Sequence, residues 1–472
     1  MKKSTWHPDE SVPQSVSGIS RRHNGRESIQ IGFTDQRVSP RAGLWPWADF
    51  LHRRHFREVL EAALPRRSSP NQIACADLAL GYLAGVLSGG TKLAHCAHLR
   101  VDPLLPDLLG VRRLGSQSSY SRFFGLFGSA AFNSECFGRL WRWGLERLSS
   151  SRGGYTLDLD STHLLHEDAH QKEGVRSGHT PEGIRRCLHP LLGMLAEAQL
   201  VAGFWLRPGN TRSDNNAVAF TQELLGRLPS WIRLGLVRAD SGFCDERLLE
   251  FLEAQELPYI VVARLHRPTR GLLGQNARWQ VTELPGTEVA EVIHQAWGWN
   301  RRRRVVLVRH RVSERPEAGG RELLECPGYR IQVLITSLPQ SVDGLTVWRR
   351  YNGRAGCENI IKELATSYGL PQLCLKKFYA TEAALSLSVL AYNLCVLFQR
   401  EVGWQERVNA ATLRRRMFTT GGVISRSGGY LTVRLAVRAG PLRAWWRRLL
   451  EKLSCPWFNC VAVEPIPPNP AA

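Results

Sequence analysis

The sequence has no C-x-x-C pair. Its eleven cysteines stand at positions 75, 96, 136, 187, 244, 326, 357, 374, 395, 455 and 460, a spacing that excludes a zinc ribbon or finger. Cys455 and Cys460 are the nearest two, with Pro456, Trp457 and Phe458 between them. An odd count at irregular intervals predicts buried free thiols in a reducing cytosol, not a disulfide framework. A secretory signal is also missing: MKKSTWHPDESVPQSVSG is polar and has no apolar core. The most apolar stretch, Ile73 to Leu87, is interrupted by Asp77 and too short to cross a bilayer. Internal repeats and Gly-rich phosphate loops are absent as well. A soluble, cytoplasmic protein is expected.

Acidic residues are scarce relative to basic ones. The 472 residues carry 62 Lys+Arg against 42 Asp+Glu, a formal charge of +20. On a chain this long, such a balance favours a polyanionic partner, most often nucleic acid. The alternative is a basic protein that is merely soluble. The apolar share of 43% is ordinary for a folded protein. At roughly 100–200 residues per domain, two to four domains are expected.

The texture divides the chain. Residues 1–40 read as a flexible polar leader and 41–150 as all-helical, with helices over 45–64, 73–87 and 132–149. Gly115-Ser-Gln-Ser-Ser supplies serine suited to a helix N-cap. This region is compatible with a helix-turn-helix-like DNA-binding unit or a plain bundle. After Gly153-Gly154, Tyr155-Thr-Leu-Asp-Leu-Asp alternates with the period of a strand. Two strands then flank a turn near Glu197, followed by a helix over 214–228, a strand ending at Asp240, a helix over 245–255 and a strand over 259–263. Residues 151–265 thus form a first α/β part. A separate β-rich insertion is expected over 266–348, a second core part with helices over 349–400, and a helical basic tail over 401–472.

Three acidic places can carry chemistry. On a strand, residues two apart share a face, so Asp158 and Asp160 point together and Leu157 and Leu159 point opposite. Charges there are costly unless paired or metal-bound. Asp240 ends an apolar strand, where ligand sites of open α/β sheets lie. Glu358 follows in Tyr351-Asn-Gly-Arg-Ala-Gly-Cys-Glu. Converging carboxylates repel unless a cation sits between them. Such hard oxygen ligands suit Mg²⁺ or Mn²⁺, and two ions roughly 3.5–4 Å apart can drive phosphodiester chemistry. Singly, each acid also has an ordinary reading: a turn cap for Asp160, a strand-end loop for Asp240, and for Glu358 a surface pairing with Arg354 and Lys362 contributing ~0.3–0.5 kcal/mol.

The element order and the phrases LDLDST, RPGN (207–210), RADSGF, YNGRAGCENIIKEL and KKFYATEAALSLSVLAYNL resemble bacterial insertion-sequence DDE transposases with a Y-R-E-K signature. Within these, the chain is most similar to the insertion sequence 1380 type, from about 75 to 450. The resemblance implies a ribonuclease-H-like catalytic core with an inserted β-rich subdomain. It also implies a two-Mg²⁺ site held by Asp160, Asp240 and Glu358, with Asp158 an ambiguous neighbour. Asp240 lies 80 residues after Asp160, and Glu358 118 further on. Tyr351 and Arg354 match the signature positions that contact DNA phosphates. The implied activity is metal-dependent cleavage and strand transfer at terminal inverted repeats, on double-stranded DNA and as a homodimer. One departure stands out: the signature lysine falls at Ala365, and Lys362, one turn nearer Glu358, is its possible substitute. A transposase-derived DNA-binding protein without catalysis is the rival reading.

Softer expectations concern three further groups. Arg301 to Arg304 either track phosphates or form a solvated charge run. Trp297 and Trp299 either stack on an unpaired base or belong to the core. His166 and His170, with His163 and His179, are read as exposed loop histidines and not as zinc ligands.

Overall fold

The computed structural model describes residues 22–23, 27–28 and 34–453, apart from 68, 70, 266, 276–277, 313–320, 324–325, 405 and 429. Most of the expected leader, the proline-rich end and the Cys455/Cys460 pair lie outside the described residues.

Residues 41–150 contain seven α-helices and, among the described residues, no strand: α1 (Trp45–Arg53), α2 (Phe56–Ala63), α3 (Cys75–Leu87), α4 (Leu93–Ala97), α5 (Leu105–Leu109), α6 (Gln117–Phe124) and α7 (Ala130–Leu145). The single helix expected over 45–64 breaks at His55, which takes a left-handed φ of 50°. The break lets Phe50 and Phe56 both enter the core. Every residue of α3 is buried, as its apolarity on all sides requires. Ser116 caps α6 by accepting a hydrogen bond from the Ser119 amide at 3.1 Å.

The central sheet starts with β1 (Tyr155–Ser161), β2 (Leu191–Leu195), β3 (Leu200–Trp205), β4 (Leu234–Ala239) and β5 (Tyr259–Val262), ordered β3-β2-β1-β4-β5. Strands β1, β4 and β5 run parallel, while β2 pairs antiparallel with both β1 and β3. Helices α8 (Ala217–Arg227) and α9 (Glu246–Ala254) make the connections.

The segment expected as a separate insertion does not stand apart. Its strands β6 (Thr287–His294), β7 (Arg303–Arg311) and β8 (Cys326–Thr336) prolong the same sheet. Strand β8 pairs antiparallel with β5 through Val261 opposite Ile335. This pairing satisfies the main-chain edge that β5 would otherwise leave open.

The sheet has a core on each face. One face joins the helices in a buried cluster running from Ala42 to Leu453. The other carries a smaller cluster of Leu236, Ile260, Val306, Leu334 and Val347, covered by α10 (Gly344–Asn352). After α10 come α11 (Ala355–Ser367) and α12 (Phe378–Glu401). Helix α12 is long and apolar enough by composition to cross a membrane, yet its apolar window is wholly buried in the protein. It also closes the β3 edge: the Asn393 side chain accepts from the Val201 amide at 3.0 Å and donates to the Val201 carbonyl at 2.8 Å.

The C-terminal region is not purely helical. Gly422–Ser427 and Tyr430–Leu435 form a hairpin that takes up Val38–Ser39 as a third strand, before α13 (Pro441–Lys452). Its arginines mask the strand alternation in the sequence. All nine described cysteines are free, and each is buried or partly buried.

Candidate active site

Asp160 and Asp240 come from neighbouring parallel strands. Strands β1 and β4 pair with Asp158 opposite Arg238 and Leu159 opposite Ala239. The next residue on each strand is therefore an aspartate, and the two emerge side by side at the carboxyl ends. Asp160 is buried. Burial raises its carboxyl above the usual range, Arg354 opposes the rise, and the Asp240 charge adds to it. Oδ2 of Asp160 meets Nη2 of Arg354 at 2.9 Å and the Cys357 thiol at 3.4 Å. Oδ1 accepts from the Ser161 amide at 2.7 Å.

Asp240 begins a short 3-10 turn and accepts the Gly242 amide at 2.9 Å. The loop is pinned from outside. Arg264 donates to the carbonyls of Ser241 and Gly242 and to Asp214, each at 3.0 Å. A Cβ on Gly242 would stand 2.8 Å from Ser213, so the loop closes this tightly only with glycine there. Ser213 in turn meets the Ser161 hydroxyl at 2.9 Å, linking the two strand ends.

Asp158 has a different partner. Arg238 grips both of its oxygens, at 2.6 and 2.8 Å. The Asp158 carboxylate is therefore neutralised within the sheet, and Asp160 alone faces Asp240.

Tyr351, at the end of α10, lines an open cleft of about 430 Å³ together with Asp240, Ser241, Arg264 and Gln332. Burial, opposed by Arg354 and helped by the charges of Asp240, Asp160 and Glu358, pushes its hydroxyl up to about 12. The phenol remains a proton donor at neutral pH, within the field of all three acids. Arg354 is buried beneath it, donating to the Leu159 carbonyl at 3.2 Å as well as pairing with Asp160.

Helix α11 buries Cys357, Ile360 and Leu364, a spacing that turns Glu358 and Lys362 outward. The Glu358 side chain is 72% exposed and lies 4.0 Å from Arg354. Lys362 is exposed one turn later, and Ala365 is half-buried. The structure thus unites Asp160, Asp240, Tyr351 and Arg354, and leaves Glu358 and Lys362 on the rim. Among the described residues, no group of three His, Cys, Asp or Glu side chains is arranged to hold a metal ion. Asp160 and Asp240 nevertheless fit a hard divalent cation: two adjacent carboxylates, oxygen donors only, one of them with its pKa raised by burial and by the other's charge. Glu358 reaches that pair only by turning its side chain inward.

The softer expectations separate. Arg303 and Arg304 are buried and bound, Arg303 to Glu246 and Glu253, Arg304 to Glu291 and three carbonyls. Arg301 and Arg302 stay exposed. Trp299 is partly buried, with the Arg303 guanidinium 4.9 Å from its ring centre. Trp297 is 98% exposed, at a second cleft of about 320 Å³ that shares Ala263, Arg264 and Val333 with the first. His170 and His179 are exposed, but His163 stacks on His189 at 4.1 Å and His166 is half-buried.

Sequence reasoning passed over Arg238, Arg264, Ser213 and Cys357. Arg238 carried a readable signal: it is a charge inside an apolar strand, as Asp158 is in another, and opposite charges in two buried strands invite pairing. The other three depend on loop and helix contacts remote in sequence.

Residues 21–455 match the family model described as transposase DDE domain group 1. No curated protein matches the sequence. Among solved structures, the cryo-EM structure of the piggyBac transposase synaptic complex with hairpin DNA is similar with a TM-score of 0.44 and 12% identity, over 82% of this chain and 82% of that one.

Proposed function

The chain belongs to the transposase DDE domain group 1 family, and on that premise we propose that it cuts and joins DNA at the terminal inverted repeats of an insertion sequence of the 1380 type. The observation that carries this reading is the pairing of Asp160 and Asp240 at adjacent parallel strand ends, beneath Tyr351. The order β3-β2-β1-β4-β5 fits a ribonuclease-H-like core, here with β6–β8 as an extension of its sheet. The net charge of +20 suits a DNA partner. Joining two ends calls for a homodimer.

Asp160, Asp240 and Glu358 would hold divalent ions, Mg²⁺ or Mn²⁺, which when bound supply charge stabilisation at the scissile phosphate and acidify the attacking water. The chain's own groups do the rest. Tyr351 offers a phenolic O–H to a phosphate in the cleft. Arg354 fixes the Asp160 carboxylate and offsets its charge. Arg264 and Ser213 hold the Asp240 loop in register with β1. Exposed Arg301, Arg302 and Lys362 meet the backbone of the duplex, and Trp297 stacks on a base unstacked at the end.

Cleavage of a labelled duplex carrying the flanking terminal repeat tests the reading, with wild type and Asp240→Ala compared with and without Mg²⁺. Cuts at the repeat boundary that need the ion and vanish in the variant are expected. A second reading, a DNA-binding descendant without catalysis, is favoured by the outward Glu358 and by Ala365. Specific binding with no cutting under either ion would select it.

A further inference from the structure

The turn that carries Tyr351 and Arg354 meets both acids, Arg354 by pairing with Asp160 and Tyr351 by sharing a cleft with Asp240, and its main chain is anchored to the central sheet. Arg238 is the anchor. Its Nε and Nη2 take the two oxygens of Asp158 at 2.6 and 2.8 Å, and its Nη1 donates to the Arg350 carbonyl at 2.5 Å. Both side chains are almost fully enclosed, at 6% and 1% exposure. The pair stands one residue before Leu159 and Ala239, on the strands that deliver Asp160 and Asp240.

We propose that the Asp158–Arg238 pair is a positioning strut, which sets the Tyr351–Arg354 turn against Asp160 and Asp240 through the Arg350 carbonyl. The inference rests on the transposase reading above and adds two residues to it. Three features support it. First, an enclosed ion pair is poor at stabilising a fold, since a packed apolar pair of similar size often does as well or better. Its position beside the acids then points to geometry as its use. Second, only a guanidinium spans a carboxylate and a carbonyl in one plane. Third, the turn is built around it: a Cβ on Gly353 would lie 2.6 Å from Arg238 Nη1, although the Gly353 backbone, at φ −56°, accepts any residue. Gly353 is there to leave room for the strut.

Two variants probe it without stranding a charge: Asp158→Leu with Arg238→Met, and Gly353→Ala, which leaves the ion pair's charges in place and pushes on the Nη1 contact with the Arg350 carbonyl, its Cβ standing 2.6 Å from Nη1 and 3.3 Å from that oxygen. Hydrogen exchange on the full chain without DNA reads the mechanical half. Amides of 350–356 are expected to exchange at least tenfold faster in both variants, with exchange in α12 unchanged. Unchanged protection at 350–356 in Gly353→Ala would overturn the strut, whatever the chain does to DNA. Cleavage of the repeat duplex reads the catalytic half. The turnover rate at saturating duplex is expected to fall at least tenfold with duplex affinity held within twofold. In combination with Tyr351→Phe the losses should be less than multiplicative, because both act through one turn. Wild-type cleavage rates in both variants, or losses that multiply, would also overturn it. If wild type itself cuts nothing under Mg²⁺ or Mn²⁺, the transposase reading fails, while the exchange result still decides the strut.

Discussion

Arginine serves two purposes in this chain, and the run Arg301–Arg304 contains both. Arg303 is enclosed between Glu246 and Glu253, with bonds of 2.5 and 2.7 Å. Removing its charge strands two glutamates. Arg303→Met is expected to lose about 2–3 kcal/mol in urea unfolding, less than the ~3–5 of a fully enclosed pair, because water reaches both glutamates. Arg302 is exposed, and Arg302→Ala should change stability by less than ~0.5 kcal/mol. If it touches a phosphate, the same variant lowers the log–log salt slope of duplex binding by about 0.9. A titration of affinity against KCl checks this, and an unchanged slope removes Arg302 from the DNA face. Sequence could not divide this run, because the partners of Arg303 lie 50 or more residues away on α9 and that of Arg304 faces it only once β6 and β7 have paired. The acids were more legible. Alternation placed Asp158 and Asp160 on one face, but it could not say which would stand beside Asp240. That choice was made by Arg238, which sits opposite Asp158 only once β1 and β4 have paired.

At the scale of elements, short-range rules found most strands and helices of 151–263, because each is bounded by turn residues and carries a clean period. They failed where pairing is long-range. Strands β6–β8 looked like a body of their own, since nothing local shows that β5 has an open edge to be filled by β8. On the proposed function, the β6–β7 connection bears on the DNA end. It presents Trp297 to solvent while Trp299 is held by Arg303 and His294. Trp297→Ala should therefore leave the urea midpoint unchanged. It should slow cleavage of a fully paired end several-fold, yet spare an end whose flanking base is already unpaired, for which no unstacking is needed. Trp299→Ala should instead lower stability. Equal slowing on both substrates by Trp297→Ala would sink the stacking role.

The whole molecule shares one large core from the helices of 41–150 to α13, so ionisable groups far apart in sequence act on a common folding equilibrium. Two buried groups oppose each other there. Glu382 on α12 accepts from the Leu206 amide at 2.9 Å and from Asn133 at 2.7 Å, yet burial raises its carboxyl from 4.5 to about 7. As pH rises through 4.5, the unfolded chain releases this proton while the folded chain keeps it. Stability therefore falls between 4.5 and about 7, by roughly 3 kcal/mol at ~1.4 per unit, and the loss is complete above 7. His189 bonds the Thr211 carbonyl through Nδ1 at 2.6 Å, and burial lowers it from 6.5 to about 4. As pH falls through 6.5, the unfolded chain binds a proton that the folded chain refuses. Stability is lost between 6.5 and 4, by a similar roughly 3 kcal/mol. Over the window the two share, the slopes nearly cancel, and the wild-type urea midpoint should vary little from these two groups between pH 5 and 6.5. Glu382→Gln removes the descending slope alone. Its midpoint should climb with pH across that window, and its stability relative to wild type should be most favourable above pH 7. A wild-type-minus-variant difference that stays constant from pH 5 to 8 would show that Glu382 holds the same charge in the folded and unfolded chain.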